Sequence, residues 1–469
     1  MNELRDLFDR QRAAFEREPF PDLRTRRDRV GRILALTLEH ESDLVAAISR
    51  DFGHRCAQET RLAELFIVIT AARTALRRLP RWMHPQRVAT PVNLLPGRSE
   101  LRPQPLGVVG IISPWNYPYQ LAMLPALGAL AAGNRVLLKP SELTPTFSAL
   151  LRELVARRFS EEEFAVVLGD AAVGGAFAEL PWDHLFFTGS TAVGRQVALA
   201  AAANLTPVTL ELGGKSPALF APDADFALTL PRLAAGKLLN AGQTCIAPDY
   251  ALVPAARREA WVAGLKAAVA ALYPTIAGNP DYTAIISERH FQRLTGLMED
   301  ARRRGATVVD LRPAGEAPDP ARRRFPPTLL LNVTEEMAVM REEIFGPLLP
   351  VETYESLEEA IRRVNARPRP LALYFFGERA VDRERVLQET IAGGVTVNDT
   401  LWHIVNEKLP FGGVGPSGQG CYHGEHSFRR FSHLKPVFYQ SRWATGKFLW
   451  PPYGARFDRI FGWIKRLSR

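Results

Sequence analysis

The stretch Phe186–Arg195 reads FFTGSTAVGR, and it indicates how the rest of the chain folds. Its apolar start is typical of a buried strand, Gly189 permits a tight turn, and a helical composition follows. Strand, glycine turn and helix in direct succession are the repeating unit of a parallel α/β sheet. The bare amides at the start of such a helix can bind a pyrophosphate, although a plain strand-to-helix turn has the same pattern. The Gly-x-x-x-x-Gly spacing up to Gly194 lacks the Lys-Ser/Thr pair of a nucleoside-triphosphate loop, which excludes a kinase or ATPase.

Strands and helices alternate on both sides of this stretch. Strands are predicted at 108–112, 135–138, 164–168 and 184–187, helices at 119–132, 145–159 and 173–180, and a second alternating block at 214–393. This alternation predicts an α/β fold whose parallel sheets carry helices on both faces. Ligands bind beyond the carboxyl ends of such strands, so the loops after Ile112, Leu138, Phe187 and Glu211 are candidate site loops. The segment 87–102 differs, since two β-like runs about a Pro-Gly turn predict a hairpin.

The composition is that of a folded, soluble protein without a membrane span. Hydrophobic residues make up 46% and charged residues 23% of the 469 positions, and no run of about 18 apolar residues occurs. A chain of this length exceeds one ordinary core, so two or three domains are expected. The net charge of +9 would suit a nucleic acid, but the basic residues are spread along helical segments and no nucleic-acid-binding motif appears. We therefore expect no nucleic acid partner.

The three cysteines, Cys56, Cys245 and Cys421, are too far apart in sequence to predict a disulfide framework. Their odd number favours a reducing compartment. Because the N-terminus also lacks an apolar signal core, a cytoplasmic location is expected. His423 and His426 near Cys421 come closest to metal-ligand spacing, but the pattern is not that of a zinc site. No bound metal is expected.

Cys245 and Glu211 are the residue types of a covalent catalyst. Cys245 lies among small and turn-forming residues in NAGQTCIAPDY (240–250), and Glu211 is the single carboxylate of an apolar strand-like run (208–212). A thiol nucleophile and a carboxylate base are what a thioester mechanism requires. Taken alone, Cys245 would more often be an inert buried thiol. Asn116, between aromatic residues and prolines in PWNYP (114–118), can donate to a developing oxyanion or can equally satisfy a turn.

Two further segments have patterns with two interpretations. Lys139 and Glu142 in LKPSE (138–142) put a cation and an acid at the end of a parallel strand, where a ribose could contact both. A solvated loop would have the same composition. Glu343 and Phe345 in EEIFGP (342–347) are, taken alone, a helix end that runs into a turn.

Seven motifs occur together and in order: WN (115–116), KPSE (139–142), FTGS (187–190), ELGGK (211–215), GQTC (242–245), EIFGP (343–347) and PFGGVG (410–415). In this combination they resemble the NAD(P)-dependent aldehyde dehydrogenase superfamily, and the match covers nearly the whole chain. CIAPDY (245–250) and YHG (422–424) look like its class 3 branch. PPTL (326–329), VNDT (397–400) and PPY (451–453) are similar to the bacterial coniferyl aldehyde dehydrogenases.

The resemblance implies roles for individual residues. Cys245 is the nucleophile that forms a thiohemiacetal and then a thioester, Glu211 activates the water that hydrolyses it, and Asn116 stabilises the oxyanion. The cofactor-binding residues are Trp115, Lys139, Glu142, Gly189, Ser190, Gly194, Glu343 and Phe345. NAD is the expected cofactor because Glu142 would repel a 2′-phosphate, and NADP stays open because class 3 relatives often accept both. Glu211 argues against an acylating enzyme that passes the thioester to coenzyme A. A catalytically idle binding protein on the same fold is the alternative from another class.

The implied substrate is an aromatic or cinnamyl aldehyde such as coniferyl aldehyde, and a medium- or long-chain aliphatic aldehyde is the alternative. The entrance is expected around 117–119, in the region after Cys245, and around 402–404. The implied domains are a Rossmann-like NAD(P)-binding domain (1–82 and 103–211), a second α/β catalytic domain (212–394), a bridging or oligomerisation arm (83–102 and 395–445) and a C-terminal basic amphipathic tail (446–469). The arm contains the β-hairpin and is expected to form a homodimer. The tail, with Phe457, Ile460, Phe461, Ile464 and Leu467 on one helical face, fits a helix docked on protein or a peripheral contact with an anionic membrane, as in fatty aldehyde relatives.

Overall fold

The computed structural model describes residues 2–444, 446 and 449–467. Its strands are β1 (Gln86–Val88), β2 (Arg98–Pro105), β3 (Val108–Ile112), β4 (Arg135–Lys139), β5 (Phe164–Val166), β6 (His184–Thr188), β7 (Val208–Glu211), β8 (Pro217–Phe220), β9 (Tyr250–Pro254), β10 (Thr307–Asp310), β11 (Thr328–Leu331), β12 (Leu348–Tyr354), β13 (Ala372–Phe376), β14 (Gly394–Val397), β15 (Gly418–Gln419) and β16 (Ser432–Tyr439). They form three sheets.

The helices surround these sheets. They are α1 (Asn2–Arg17), α2 (Leu23–Glu39), α3 (Glu41–Phe52), α4 (Ala57–Thr60), α5 (Phe66–Met83), α6 (Gln120–Ala132), α7 (Pro145–Arg158), α8 (Ala171–Ala178), α9 (Thr191–Ala202), α10 (Phe226–Leu238), α11 (Arg258–Leu272), α12 (Glu288–Arg303), α13 (Ala338–Arg341), α14 (Leu357–Ala366), α15 (Ala380–Glu389), α16 (Trp402–Val405), α17 (Gly424–Arg430) and α18 (Ala455–Leu467). A π-helical turn (Arg61–Leu65) joins α4 to α5.

The first sheet contains the stretch at 186–195, and its strand order is β15-β7-β6-β3-β4-β5. Neighbouring strands run parallel except β15, which pairs antiparallel with β7. Every residue of β4 and β6 is buried, as expected for parallel strands covered by helices on both faces. Helix α6 is apolar on all sides and wholly buried, and it ends at Gly133, where a φ of 98° favours glycine. The predicted α/β fold is confirmed.

The second sheet is built from the alternating block predicted after residue 214. Its order is β10-β11-β12-β9-β8-β13-β14, and only the edge strand β10 is antiparallel to its neighbour among the described strands. Helix α10 packs against α11 on this sheet and starts at Asp225, whose carboxylate accepts hydrogen bonds from the N–H groups of Ala227 and Leu228. That cap fixes the helix whose other end leads into the Cys245 loop.

The third sheet is small and antiparallel, in the order β1-β2-β16. It contains the predicted hairpin, although its second strand reaches Pro105 and becomes the centre of the sheet. The segment 395–445, predicted as part of the arm, is divided among all three sheets. β14 extends to Val397 in the second sheet, β15 pairs with Glu211 and Leu210 in the first, and only β16 joins the hairpin.

The predicted C-terminal helix is present as α18. Phe461 is 53% exposed, and Phe457, Ile460 and Ile464 are only partly buried, so the apolar face is not part of the core. Among the described residues, no helix has the length and apolar character needed to cross a bilayer.

Candidate active site

The Cys245 loop begins where α10 ends, and it has an unusual backbone. Asn240, Ala241 and Gly242 all have positive φ, of 53°, 52° and 75°. Left-handed conformation is unfavourable for asparagine and alanine, so other contacts must hold the loop. Gln243 supplies several of them, since its side-chain amide donates to the carbonyls of Asn240 and Ala284 and accepts from the Ile286 N–H. The thiol is therefore presented by a fixed turn and not by a flexible one.

Asn116 contacts this loop directly. Its Nδ2 donates to the Gln243 carbonyl at 3.1 Å, and its own carbonyl accepts from Asn240 Nδ2 at 3.0 Å. The second hydrogen of Asn116 Nδ2 can donate to a substrate oxygen. The backbone N–H groups of Cys245 and Ile246 act to lower the pKa of the Cys245 thiol, an effect smaller than that of burial. The Asn116 side chain is thus fixed against the Cys245 loop, where an oxyanion donor is required.

Glu211 is the last residue of β7, and both of its carboxylate oxygens are buried without a hydrogen-bond partner among the described residues. Burial raises the pKa of Glu211 well above its usual range, and the nearby Cys421 adds to this effect. Burial also raises the pKa of the Cys245 thiol to about 12, with further contributions from the charges of Glu343 and Glu211. The thiol and both carboxyl groups therefore share one buried region, and the thiol is protonated at neutral pH.

Most of the predicted cofactor residues lie at the carboxyl edge of the first sheet, whereas Glu343 and Phe345 come from the loop before β12 of the second sheet. Lys139 ends β4, and its Nζ is 3.0 Å from the Glu142 carboxylate. Ser190 caps α9 by accepting from the Val193 N–H, directly after Gly189. Phe345 and Trp115 pack edge to face, with ring centroids 5.4 Å apart. Gly194 is buried against Leu212 in the second turn of α9. The structure thus gathers strand ends, a helix N-terminus and two aromatic rings along one edge.

These residues fit a dinucleotide. Three buried oxygen atoms near this edge lack a hydrogen-bond partner among the described residues: Ser113 Oγ, Thr188 Oγ1 and Glu343 Oε1. Ser113 directly follows β3, and Thr188 ends β6. Buried polar atoms normally have hydrogen-bond partners, so an unpartnered group of them indicates a polar ligand. The start of α9 is suited to pyrophosphate because its N–H groups point outward. The Glu343 carboxylate lies against Gly213, where any Cβ would come within 2.2 Å of it.

A buried ion pair behind the site was not predicted from sequence. Arg55 and Glu64 are both fully buried, with an N–O distance of 2.8 Å. Arg55 also donates to the Asn116 carbonyl at 2.9 Å, and Glu64 accepts from the N–H of Tyr119 at 2.6 Å. The pair therefore orients the segment that carries Asn116. The sequence offers one indication of this ion pair, since Glu64 interrupts an otherwise apolar helical face. Its partner Arg55 lies outside that helix, so the pattern alone does not identify it.

Aromatic residues surround the thiol. The Tyr117 hydroxyl is 2.7 Å from Thr244 Oγ1, and the Tyr374 hydroxyl donates to the Ile246 carbonyl. Tyr422 is buried, its hydroxyl lacks a partner among the described residues, and the charges of Glu211 and Cys245 contribute to its raised pKa after burial. The prediction that Tyr119 lines the entrance is wrong, because its side chain is fully buried and its hydroxyl contacts Thr37 on α2.

Metal ligation has no support in the described part of the chain, where no group of three or more His, Cys, Asp or Glu side chains could hold an ion. Cys56, Cys245 and Cys421 are all free thiols.

Comparison with known proteins gives the same assignment along the whole chain. The sequence model of the aldehyde dehydrogenase family matches residues 3–437. A Pseudomonas aeruginosa protein described as a probable coniferyl aldehyde dehydrogenase is 50% identical over 460 residues, covering 98% of this chain and 96% of that protein. The substrate-bound structure of Staphylococcus aureus AldH has a TM-score of 0.94 at 38% identity, covering 99% of this chain and 100% of that chain.

A third relative bears on the cofactor. The crystal structure of an NAD-dependent aldehyde dehydrogenase from Sinorhizobium meliloti has a TM-score of 0.82 at 29% identity, covering 95% of this chain and 89% of that chain. Since the family match extends over nearly its whole length, the chain belongs to the aldehyde dehydrogenase family and is an NAD(P)-dependent enzyme that oxidises aldehydes.

Proposed function

We propose that the enzyme oxidises aromatic aldehydes of the cinnamyl class, such as coniferyl aldehyde, to carboxylic acids through a thioester on Cys245. The observation that carries the proposal is the 50% identity to the Pseudomonas aeruginosa protein described as a probable coniferyl aldehyde dehydrogenase, over nearly the whole of both chains. Three buried tyrosines packed around the Cys245 loop, Tyr117, Tyr374 and Tyr422, support it, since aromatic walls suit a planar, conjugated substrate.

In the first half-reaction, Cys245 passes its proton to Glu211, which releases it to solvent, and the sulfur attacks the aldehyde carbon while the carbonyl π electrons move to oxygen. Asn116 Nδ2 and the Cys245 N–H donate to the resulting oxyanion. Bound NAD supplies the two-electron oxidation by accepting a hydride. The carbon on Cys245 is then at the level of a thioester.

In the second half-reaction, Glu211 takes a proton from water, and the water oxygen attacks the thioester carbon. The C–S bond breaks, Cys245 leaves as a thiolate, and the acid is released. Glu211 suits this role because its carboxylate oxygens are not engaged by other described side chains. The same free carboxylate supports water over coenzyme A as the acceptor.

The cofactor is assigned to the carboxyl edge of the first sheet. Gly189, Ser190 and Gly194 would hold the pyrophosphate, Lys139 and Glu142 the adenosine ribose, and Glu343 the nicotinamide ribose, while Trp115 and Phe345 would pack near the ring. The Lys139–Glu142 contact supports NAD over NADP, because the carboxylate would repel a 2′-phosphate.

Initial rates of nicotinamide reduction test this proposal. Coniferyl aldehyde, benzaldehyde, hexanal and hexadecanal would each be assayed with NAD and with NADP, and Cys245→Ala is the control. We expect the highest kcat/KM for coniferyl aldehyde with NAD and no turnover in the control. A higher kcat/KM for hexadecanal would refute the cinnamyl assignment.

A fatty aldehyde dehydrogenase at a membrane surface is the second candidate, and α18 favours it. Exposed aromatic residues, Trp450, Tyr453, Phe461 and Trp463, lie in the same segment as Arg459, Lys465 and Arg466. Aromatic and basic residues together are typical of helices that bind anionic lipid surfaces. Flotation with anionic vesicles tests the candidate: protein that stays at the bottom at low salt would exclude membrane binding. Loss of flotation in Phe461→Asp would assign binding to α18.

A further inference from the structure

The loop that carries Glu343 is held by a set of buried charges that the mechanism does not use. Lys215, at the end of the ELGGK motif, donates from Nζ to the carbonyls of Val339 (2.7 Å) and Glu342 (3.0 Å). The same Nζ contacts the carboxylate of Asp249, which lies just before β9. The other oxygen of Asp249 accepts from the Ile344 N–H at 2.8 Å. One ion pair therefore fixes backbone groups on both sides of Glu343.

A second cation reaches the same loop from α12. Arg293 donates from Nη1 to the Glu343 carbonyl at 3.2 Å and from Nη2 to the Ile344 carbonyl. The following residue, Phe345, has a positive φ of 52°, a strained value for a bulky side chain. Because strained backbone persists only where surrounding contacts determine it, these hydrogen bonds set the position of Glu343 and Phe345 together.

The ELGGK motif also receives the Glu343 carboxylate itself. The Gly214 N–H acts to lower the pKa of this carboxyl, and Gly213 leaves the space that a Cβ would fill. The first residue of the motif is Glu211, the proposed base. One five-residue segment therefore places the hydrolytic carboxylate at one end and secures the Glu343 loop at the other.

We propose that Lys215, Asp249 and Arg293 are positioning residues for NAD, which act by holding the Glu343–Phe345 loop in its binding conformation. The inference rests on the proposed contact of Glu343 with the nicotinamide ribose. The ion pair is almost inaccessible, with side-chain exposures of 8% for Lys215 and 4% for Asp249. Buried charges of this kind lose much of their favourable interaction when one partner is neutralised.

The test compares NAD affinity with thiol reactivity in Arg293→Met, Asp249→Asn and Glu343→Gln. NAD dissociation constants would be measured by calorimetry, and alkylation of Cys245 by iodoacetamide would be followed by mass spectrometry without cofactor. We expect the dissociation constant to rise about tenfold in Arg293→Met and Asp249→Asn, the size of effect for lost hydrogen bonds to a charged group. The alkylation rate should change less than about twofold, since the Cys245 loop keeps its contacts.

Arg302→Met is the matched control. Arg302 also lies on α12, at the protein surface, and among the described residues its ion pair is with Glu299 alone. This variant should bind NAD like the wild type. Arg293→Lys should recover part of the affinity because it keeps the charge but not the two-pronged donor. If Asp249→Asn does not fold, Arg293→Met alone decides, since the Arg293 side chain is one-third exposed.

Two outcomes overturn the inference in distinguishable ways. Wild-type NAD affinity in Arg293→Met, together with weakened affinity in Glu343→Gln, would show that the loop needs no such support. Wild-type affinity in Glu343→Gln would refute the ribose assignment, and the positioning role would fall with it.

Discussion

At the scale of single residues, the site combines three acidic groups whose pKa values are all raised. Burial raises the pKa of Cys245 to about 12, that of Glu343 to about 8 and that of Glu211 well above its usual range. The proposed chemistry needs the thiolate and the Glu211 carboxylate, which are the deprotonated forms. At neutral pH the Cys245 thiol is therefore mostly protonated, the raised pKa of Glu211 favours its protonated form, and deprotonation activates both groups.

Turnover should consequently increase with pH between pH 6 and pH 9, by up to about tenfold per pH unit for each group whose deprotonation limits the rate. The sign follows from the raised pKa values, because more of each group is deprotonated as the pH rises. The measurement is the pH profile of kcat in wild type and in Glu211→Gln. The variant should lose the part of the increase that belongs to hydrolysis. A wild-type profile that falls over this range would contradict the assignment.

Asn116→Ala tests the oxyanion donor. Removing one such donor lowers kcat by about 10²–10³-fold, while NAD affinity should change little because Asn116 contacts the Cys245 loop and not the cofactor edge. Stopped-flow kinetics would give kcat, and calorimetry would give NAD affinity. Unchanged turnover would rule out the role.

The sequence identifies some of these residues and not others, for a physical reason. Cys245, Glu211 and Asn116 lie in short motifs, and the residues of each motif are enough to suggest its chemistry. The ion pair of Arg55 and Glu64 cannot be identified from a local motif, because only the tertiary fold brings the two side chains together.

At the scale of elements, the Cys245 loop is the most demanding part of the structure. Gly242 has a φ of 75°, and an added Cβ would lie 2.4 Å from the carbonyl oxygen of Gly346. This close contact between Gly242 and Gly346 packs the Cys245 loop against the end of the EIFGP motif. Glycine is therefore required twice at this position, for conformation and for space.

Gly242→Ala should destabilise the enzyme by about 1–3 kcal/mol and lower kcat, because the clash displaces the nucleophile loop. Gly296→Ala is the control, since Gly296 lies in α12 with nothing within 4 Å of an added Cβ. That variant should gain about 0.5–1 kcal/mol. Denaturant unfolding and steady-state rates would measure both effects. Equal stability of the two variants would contradict the geometry.

Most strand and helix positions follow from hydrophobic periodicity, and their ends agree with the structure to within a few residues. β3 has the predicted bounds, and β4 and β6 end one residue later than predicted. Strand β15 could not be predicted from hydrophobic periodicity, because two residues are too few to show a period. The strand is defined by its pairing with Glu211 and Leu210 of β7.

At the scale of the whole molecule, the three-stranded sheet and the turn between β1 and β2 leave apolar side chains uncovered. Val92 is 68%, Leu95 is 50% and Phe438 is 43% exposed. Grouped exposed apolar residues mark interaction surfaces. The sequence pattern could not predict that residues 395–445 are divided among three sheets, because this division depends on pairing between strands that are far apart in the chain.

We expect a homodimer that buries this surface. Light scattering should give twice the 52.1 kDa chain mass at micromolar concentration. Val92→Asp should weaken the dimer, whereas Leu205→Asp should not, because Leu205 is 91% exposed outside the arm. A monomer in the wild type would refute the role of the arm.

The central claim is that the substrate carbon becomes bonded to Cys245 and is released by Glu211. Glu211→Gln would be mixed with coniferyl aldehyde and NAD, quenched in acid and digested, and the peptide containing Cys245 would be weighed by mass spectrometry. We expect an acyl adduct on that peptide, with one equivalent of NADH formed rapidly and slow release of acid. An unmodified Cys245 peptide in a variant that still forms NADH and acid at the wild-type rate would contradict it.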